Sequence, residues 1–150
     1  MLFDKQVILF DQEMPDWEAA LSTLAIQLEE VGAVTSEYPA AIIQREKQFP
    51  TGLMTQTMGV AIPHTDADKV LEPQIAFMRL KTPVTFHQMG DNAKIKVKLI
   101  FMLALKQGQD QLMMLQKLMA LFQNATAMDQ LMAIQTNEEL ITVMKKAQII

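Results

Sequence analysis

One imidazole stands out for its setting. His64 follows Val60-Ala61-Ile62-Pro63, a short apolar strand that the proline must stop, since Pro has no amide hydrogen for a ladder and a fixed φ. An imidazole at the end of a buried strand has a rigid base and still meets solvent, and His is the side chain that titrates unperturbed near neutral pH. A neutral imidazole can attack a phosphoryl group and pass it on. That chemistry asks the protein for in-line positioning and for donors to the phosphoryl oxygens. Loop amides around Gly52 and Gly59, a hydroxyl from Thr51 or Thr65, and the Arg45 guanidinium are candidate donors. Arginine suits the task because its planar fork binds phosphate oxygens bidentately. Asp66 and Asp68 would repel a phosphoryl group, so they are expected to cap the next turn or fix the imidazole tautomer.

Other chemistries lack their residues. There is no Cys, hence no thiolate nucleophile, disulfide or Cys-ligated zinc, and a reducing compartment is expected. No Gly-x-Ser-x-Gly elbow exists, and Ser22 and Ser36 sit in or beside helical patterns. A metal would have to use His64 with Asp66, Asp68 or His87, a spacing that matches no strong ligand pattern, so no metal is expected. Neither a P-loop nor a Gly-x-Gly-x-x-Gly fingerprint is present. A net charge of -4 disfavours nucleic acid as a partner. The longest apolar run, Leu99 to Leu105, has strand length, far short of the ~20 residues of a membrane helix. With Asp4 and Lys5 near the start and no apolar core after them, no signal peptide is expected, and the predicted location is the cytoplasm.

The elements that must position His64 follow from periodicity. Gln6 to Phe10 reads as a first strand. Asp16 is a candidate N-cap for a helix bearing Trp17, Ala20, Leu21, Leu24, Leu28 and Val31, stopped by Gly32. Thr35 or Ser36 starts a second helix with Pro39 in its first turn, and Phe49-Pro50 ends it. A loop carrying Thr51, Gly52 and Gly59 leads to the Val60–Ile62 strand. Gln74 to Leu80 is a strand bounded by Pro73 and Pro83. Lys94 to Leu105 alternates at first and then turns wholly apolar, as a strand does on entering a covered central position. Lys94, Lys96 and Lys98 are expected on a solvated face. Gly108 opens a helix with Leu112, Leu115, Leu118 and Phe122, Thr126 is a candidate N-cap for the next, and Asn137 to Lys146 is the last, acidic at its start and basic at its end. The 13 methionines are expected as core filler. Leu53, Met54 and Met58 either pack under the loop or present a partner surface, and His87 is expected to be structural or at the surface. At 150 residues the chain fits one domain, 1–150, of α/β class: a sandwich with a mixed β-sheet flanked by helices.

The run Arg45-Glu46 … Pro50-Thr51-Gly52-Leu53 … Gly59-Val60-Ala61-Ile62-Pro63-His64 resembles the EIIA domains of the sugar phosphotransferase system (PTS), of the fructose/mannitol type and its galactitol-like branch. The strand from Lys98 to Ala104 and the helix through Leu112 to Leu118 follow the family's order. The resemblance implies a phosphotransferase component in which His64 accepts a phosphoryl group from phospho-HPr and donates it to a cysteine of a cognate EIIB, working with a membrane EIIC. Arg45 would contact the phosphoryl oxygens, with Thr51, Gly52, Thr65 and Gln111 in support and no cofactor. Two positions depart from the pattern. Thr65 stands where many members have Gly, and Gln111 stands where mannitol-type members have a second histidine. Glutamine can hydrogen-bond a phosphoryl oxygen but cannot carry a proton or positive charge. A regulatory module of the same fold, whose His64 phosphorylation state a partner reads, is the alternative. A hydrolase or metal-dependent enzyme using His64 and Asp66 is a more distant one.

Overall fold

A computed structural model describes all residues, Met1–Ile150. In chain order the elements are β1 (Ile8–Gln12), α1 (Trp17–Glu30), α2 (Tyr38–Gln48), β2 (Gly52–Met54), β3 (Gly59–Ala61), a 3-10 turn at Ala67–Lys69, β4 (Gln74–His87), β5 (Lys94–Ala104), α3 (Gly108–Phe122), α4 (Ala125–Ala133) and α5 (Asn137–Lys146). The strands form one sheet ordered β1-β4-β5-β3-β2. It is mixed: β1 with β4 and β3 with β5 are parallel, while β4 with β5 and β2 with β3 are antiparallel. The strand whose pattern turns apolar on both sides, β5, is the middle strand.

Side-chain alternation along β5 divides the interior into two cores. Leu99, Phe101 and Leu103 face Met114, Leu118, Met128, Leu131, Leu140 and Met144 from α3, α4 and α5. Ile100, Met102 and Ala104 face Leu21, Leu24 and Leu28 of α1 and Tyr38 and Ile42 of α2. Burying each such side chain contributes about 1.5–3 kcal/mol. Helices thus cover both faces of the sheet, which is why β5 had to become apolar throughout.

Most of the helix boundaries follow local chemistry. Asp16 caps α1 by accepting from Ala19 N at 2.8 Å, and Gly32 leaves it at φ +78, a left-handed conformation open to glycine. The α5 N-cap is Thr136, one residue before the expected start, and its hydroxyl accepts from Glu139 N at 3.1 Å. Two expected starts are corrected. The α2 N-cap is Glu37 rather than Thr35 or Ser36, without a side-chain cap; the Thr35 hydroxyl is buried and reaches no helix amide. Asn124, not Thr126, caps α4, its side chain accepting from Ala127 N at 3.1 Å. Strand β1 runs Ile8–Gln12 rather than Gln6–Phe10.

Two further corrections concern strands. β4 continues past Pro83 to His87 through an irregularity, pairing Arg79 with Leu99 and then Val84 with Val97. β1 ends opposite Leu80, so beyond it β4 is an open edge, where a proline and an exposed bulge are tolerated. The segment read as a loop after Thr51 is a hairpin. β2 pairs with β3 around a turn in which Thr55 N and Oγ1 both donate to Met58 O, at 2.9 and 2.7 Å. Methionine serves the core at Met78, Met102, Met128 and Met144, but Met54, Met89, Met113 and Met119 are exposed.

Candidate functional site

His64 sits one residue beyond the Pro63 stop, at the C-terminal end of β3. Leu103 N–H donates to Pro63 O at 2.9 Å, and His64 lies beside Leu103 in a parallel bridge. The neighbouring strand is held from its other side too. The Tyr38 hydroxyl donates to Leu103 O at 2.9 Å, and full burial pushes that phenol far above its ordinary pKa, so it remains a donor. The base under the imidazole is therefore rigid.

The imidazole is oriented by its own backbone. Nδ1 lies 2.8 Å from Ile62 O. A carbonyl oxygen can only accept, so Nδ1 carries the proton and the lone pair is on Nε2, which has no protein partner. The half-buried ring thus presents one nucleophilic nitrogen. Asp66 and Asp68 were expected to cap the next turn or to fix the tautomer: Asp66 takes the N-cap position of the 3-10 turn, though without a side-chain bond, and Asp68 pairs with Lys69 at 3.3 Å, so the tautomer is set by Ile62 O instead.

Gln111, in the first turn of α3, reaches the same spot, donating from Nε2 to Thr65 O at 3.0 Å. Thr65 is buried, and its hydroxyl makes no hydrogen bond to the protein. Arg45, in the last turn of α2, pairs with no carboxylate. Its guanidinium lies over the Phe49 ring, 4.1 Å from the centroid, and its five donors are otherwise uncommitted.

Thr51 and Gly52 have different neighbours from those expected. Thr51 is buried, and both its N–H and its hydroxyl donate to Glu46, each at 2.8 Å. Gly52 O accepts from Met89 N at 2.7 Å. An added Cβ at Gly52 would stand 2.6 Å from His87 O, and one at Gly59 would run into the Lys96 carbonyl. Both glycines admit a close backbone approach from the β4–β5 pair. Gly52→Ala is accordingly expected to cost about 1–3 kcal/mol of stability by overpacking, read as a lowered urea midpoint with an unchanged slope.

Glu46 was not singled out by residue chemistry, although its position carried a signal. Tyr38, Ile42 and Glu46 recur every four residues on the buried stripe of α2, and a carboxylate on such a stripe must find donors. Burial pushes its pKa up, and the two Thr51 donors oppose that rise. His87, at the end of β4, is half-buried beside Trp17 and Asn92, away from the His64 cluster. Leu53 and Met58 pack on the core, whereas Met54 is exposed, as are Leu112 and Met113 beside Gln111. No group of three metal-ligating side chains is present.

Residues 1–147 match the family model described as "Phosphoenolpyruvate-dependent sugar phosphotransferase system, EIIA 2". The PTS system galactitol-specific EIIA component of Escherichia coli strain K12 is 32% identical over 103 residues, 69% of either chain. Nitrogen regulatory protein IIA-Ntr from Neisseria meningitidis has a crystal structure that aligns with TM-score 0.74 at 26% identity, covering 93% of both chains. Enzyme IIA mannitol of Escherichia coli, solved in complex with phosphorylated enzyme IIB mannitol, aligns with TM-score 0.78 over 97% of this chain and 98% of that one; at 21% identity the likeness is one of fold.

Proposed function

Because the chain belongs to the EIIA 2 family of the phosphoenolpyruvate-dependent sugar phosphotransferase system, we propose that His64 is its phosphoryl carrier, in a single EIIA domain spanning 1–150. The protein is a phosphotransferase component that takes a phosphoryl group from phospho-HPr and passes it to a cognate EIIB during uptake of a sugar or polyol, with galactitol-type substrates favoured by the 32% identical relative. The observation that carries the role of His64 is the 2.8 Å contact of Nδ1 with Ile62 O, which leaves the Nε2 lone pair facing out from a rigid strand end.

The chemistry balances at each step. The Nε2 lone pair attacks phosphorus in line with the N–P bond of phospho-HPr; that bond breaks and its electron pair returns to the HPr nitrogen. Positive charge then builds on the His64 ring, where the Nδ1–H bonded to a carbonyl oxygen stabilises it without a carboxylate. A thiolate of EIIB next attacks the same phosphorus, the Nε2–P bond breaks, and the pair returns to Nε2. The Nδ1 proton stays in place throughout. Arg45, whose guanidinium meets no carboxylate, would supply the planar donor pair for the phosphoryl oxygens, and the Thr65 hydroxyl and the Gln111 amide, which is bonded to Thr65 O next to His64, would add further donors. Thr51 and Gly52 support the site through the backbone they hold. No helix is long and apolar enough to cross a membrane, and we place the protein in the cytoplasm, delivering to a membrane-bound EIIC by way of EIIB.

A regulatory role is the second reading, favoured by the 26% identical nitrogen regulatory relative. Intact-mass spectrometry after incubation with phosphoenolpyruvate, Enzyme I and HPr tests the carrier role common to both. Gain of one acid-labile phosphoryl group is expected; no gain while HPr itself is phosphorylated overturns the reading. Transfer onward to an EIIB cysteine separates transport from regulation.

A further inference from the structure

We propose that Glu46 is a positioning residue for the reaction at His64, an inference that rests on the carrier reading above. Its carboxylate grips one residue at two points: Oε2 accepts Thr51 N–H and Oε1 accepts the Thr51 hydroxyl, both at 2.8 Å. Glu46 is 4% exposed and Thr51 3%, so water does not compete for these bonds. No cation pairs with the carboxylate; hydrogen bonds alone offset its desolvation.

The grip closes the short loop from the last turn of α2 to the start of β2, and both halves of the site depend on that loop. On one side it contains Phe49, whose N–H donates to Arg45 O at 2.8 Å and whose ring is the platform under the Arg45 guanidinium. On the other side Thr51 O accepts Ile62 N–H at 3.4 Å, and Ile62 O accepts the Nδ1–H of His64 at 2.8 Å. The Thr51–Ile62 bond is long, so the hairpin alone holds this register weakly. A buried two-point anchor at Thr51 compensates. One carboxylate thereby holds the arginine and the imidazole in a common frame without touching the phosphoryl group.

A misplacement of about 1 Å in a group-transfer site costs roughly 10²-fold in rate. Glu46→Ala is therefore expected to lower kcat for phosphoryl uptake from phospho-HPr by about 10- to 100-fold, with KM little changed because Glu46 and Thr51 are buried and offer a partner no contact surface. The His64 ring nitrogens, observed by 15N NMR, should shift from a single Nδ1–H tautomer toward a mixture. Glu46→Gln should recover most of the rate, since an amide can accept Thr51 N–H through its oxygen and donate its N–H to the Thr51 hydroxyl. Thr51→Val should reproduce part of the loss, and adding it to Glu46→Ala should cost little more, as expected for two ends of one contact.

A folded Glu46→Ala protein with wild-type kcat and an unshifted tautomer overturns the proposal. So does a loss confined to KM, or a Glu46→Gln protein as slow as Glu46→Ala. If Glu46→Ala does not fold, Thr51→Val decides: full kcat with an unshifted tautomer overturns it. The tautomer spectrum needs no phosphoryl donor. If wild type accepts no phosphoryl group, the carrier reading fails by itself, and the spectra still decide whether Glu46 sets the imidazole.

Discussion

Replacing His64 with glutamine is expected to abolish phosphoryl uptake completely while leaving the fold in place. An amide nitrogen has its lone pair delocalised into the carbonyl and cannot replace Nε2 as the nucleophile. The same amide can donate to Ile62 O, so the one hydrogen bond that seats the side chain has a substitute. Because His64 is only half-buried and its backbone is held through Pro63 O by Leu103 N–H, the stability change should stay within about 0.5 kcal/mol. Intact-mass spectrometry reads the first expectation and urea unfolding the second. His87→Gln is the control, and it should take up the phosphoryl group as wild type does. Uptake by His64→Gln would put the carrier elsewhere and undo the mechanism given above.

Arg79→Ala is expected to produce the largest loss of stability of any polar substitution, about 3 kcal/mol. Arg79 is 2% exposed, yet all its polar atoms are matched. Nε and Nη2 donate to Asp11 Oδ1 and Oδ2 at 2.9 and 3.1 Å, and Nη1 donates to Leu131 O at 3.2 Å and Ile134 O at 2.6 Å. Those two carbonyls belong to the C-terminal end of α4, where a helix has no internal donors to offer. The guanidinium therefore ties β1, β4 and α4 together, with the Phe10 ring 4.9 Å beneath it. Arg79→Met should recover part of the loss, because an apolar side chain of similar length fills the buried space that alanine leaves empty.

The same pair makes a prediction in acid. The Arg79 hydrogen bond holds the Asp11 carboxyl below its ordinary value of 3.8. A carboxyl depressed in the folded state adds stability that is complete above its unfolded pKa and lost as pH falls through the folded one. Wild type should therefore lose stability below about pH 4 through this pair, and Arg79→Ala should lack that contribution. Asp11 is mostly exposed, so salt should weaken the effect. Urea titrations of both proteins across this range, at low and high salt, provide the check.

Much of the architecture was legible because its signals are local. Leu21, Leu24 and Leu28 mark a helix face by spacing alone, and Asp16 and Gly32 mark its ends. The shift of β5 from alternation to a continuous apolar run announced a strand with helices on both sides. Pro83 misled because a proline ends a strand only where the strand has a partner on that side, and β1 stops opposite Leu80. Thr126 and Asn124 are both good caps in sequence, and the choice fell to the residue whose side chain reaches a free amide.

What the sequence by itself determined is most of the elements, with β2 and the far end of β4 the exceptions, and the placing of His64 at a strand end, since hydrophobic period, capping residues and Pro63 all act within a few residues of where they stand. Tertiary structure decided the partner of each polar group. Glycines 52 and 59, candidates for an anion-binding loop, became points of close approach between strands. Thr51 turned to Glu46, Gln111 crossed 46 residues to Thr65, and Tyr38 crossed 65 to Leu103. Such pairings depend on strand order and register across the whole sheet, and no local spacing carries that information.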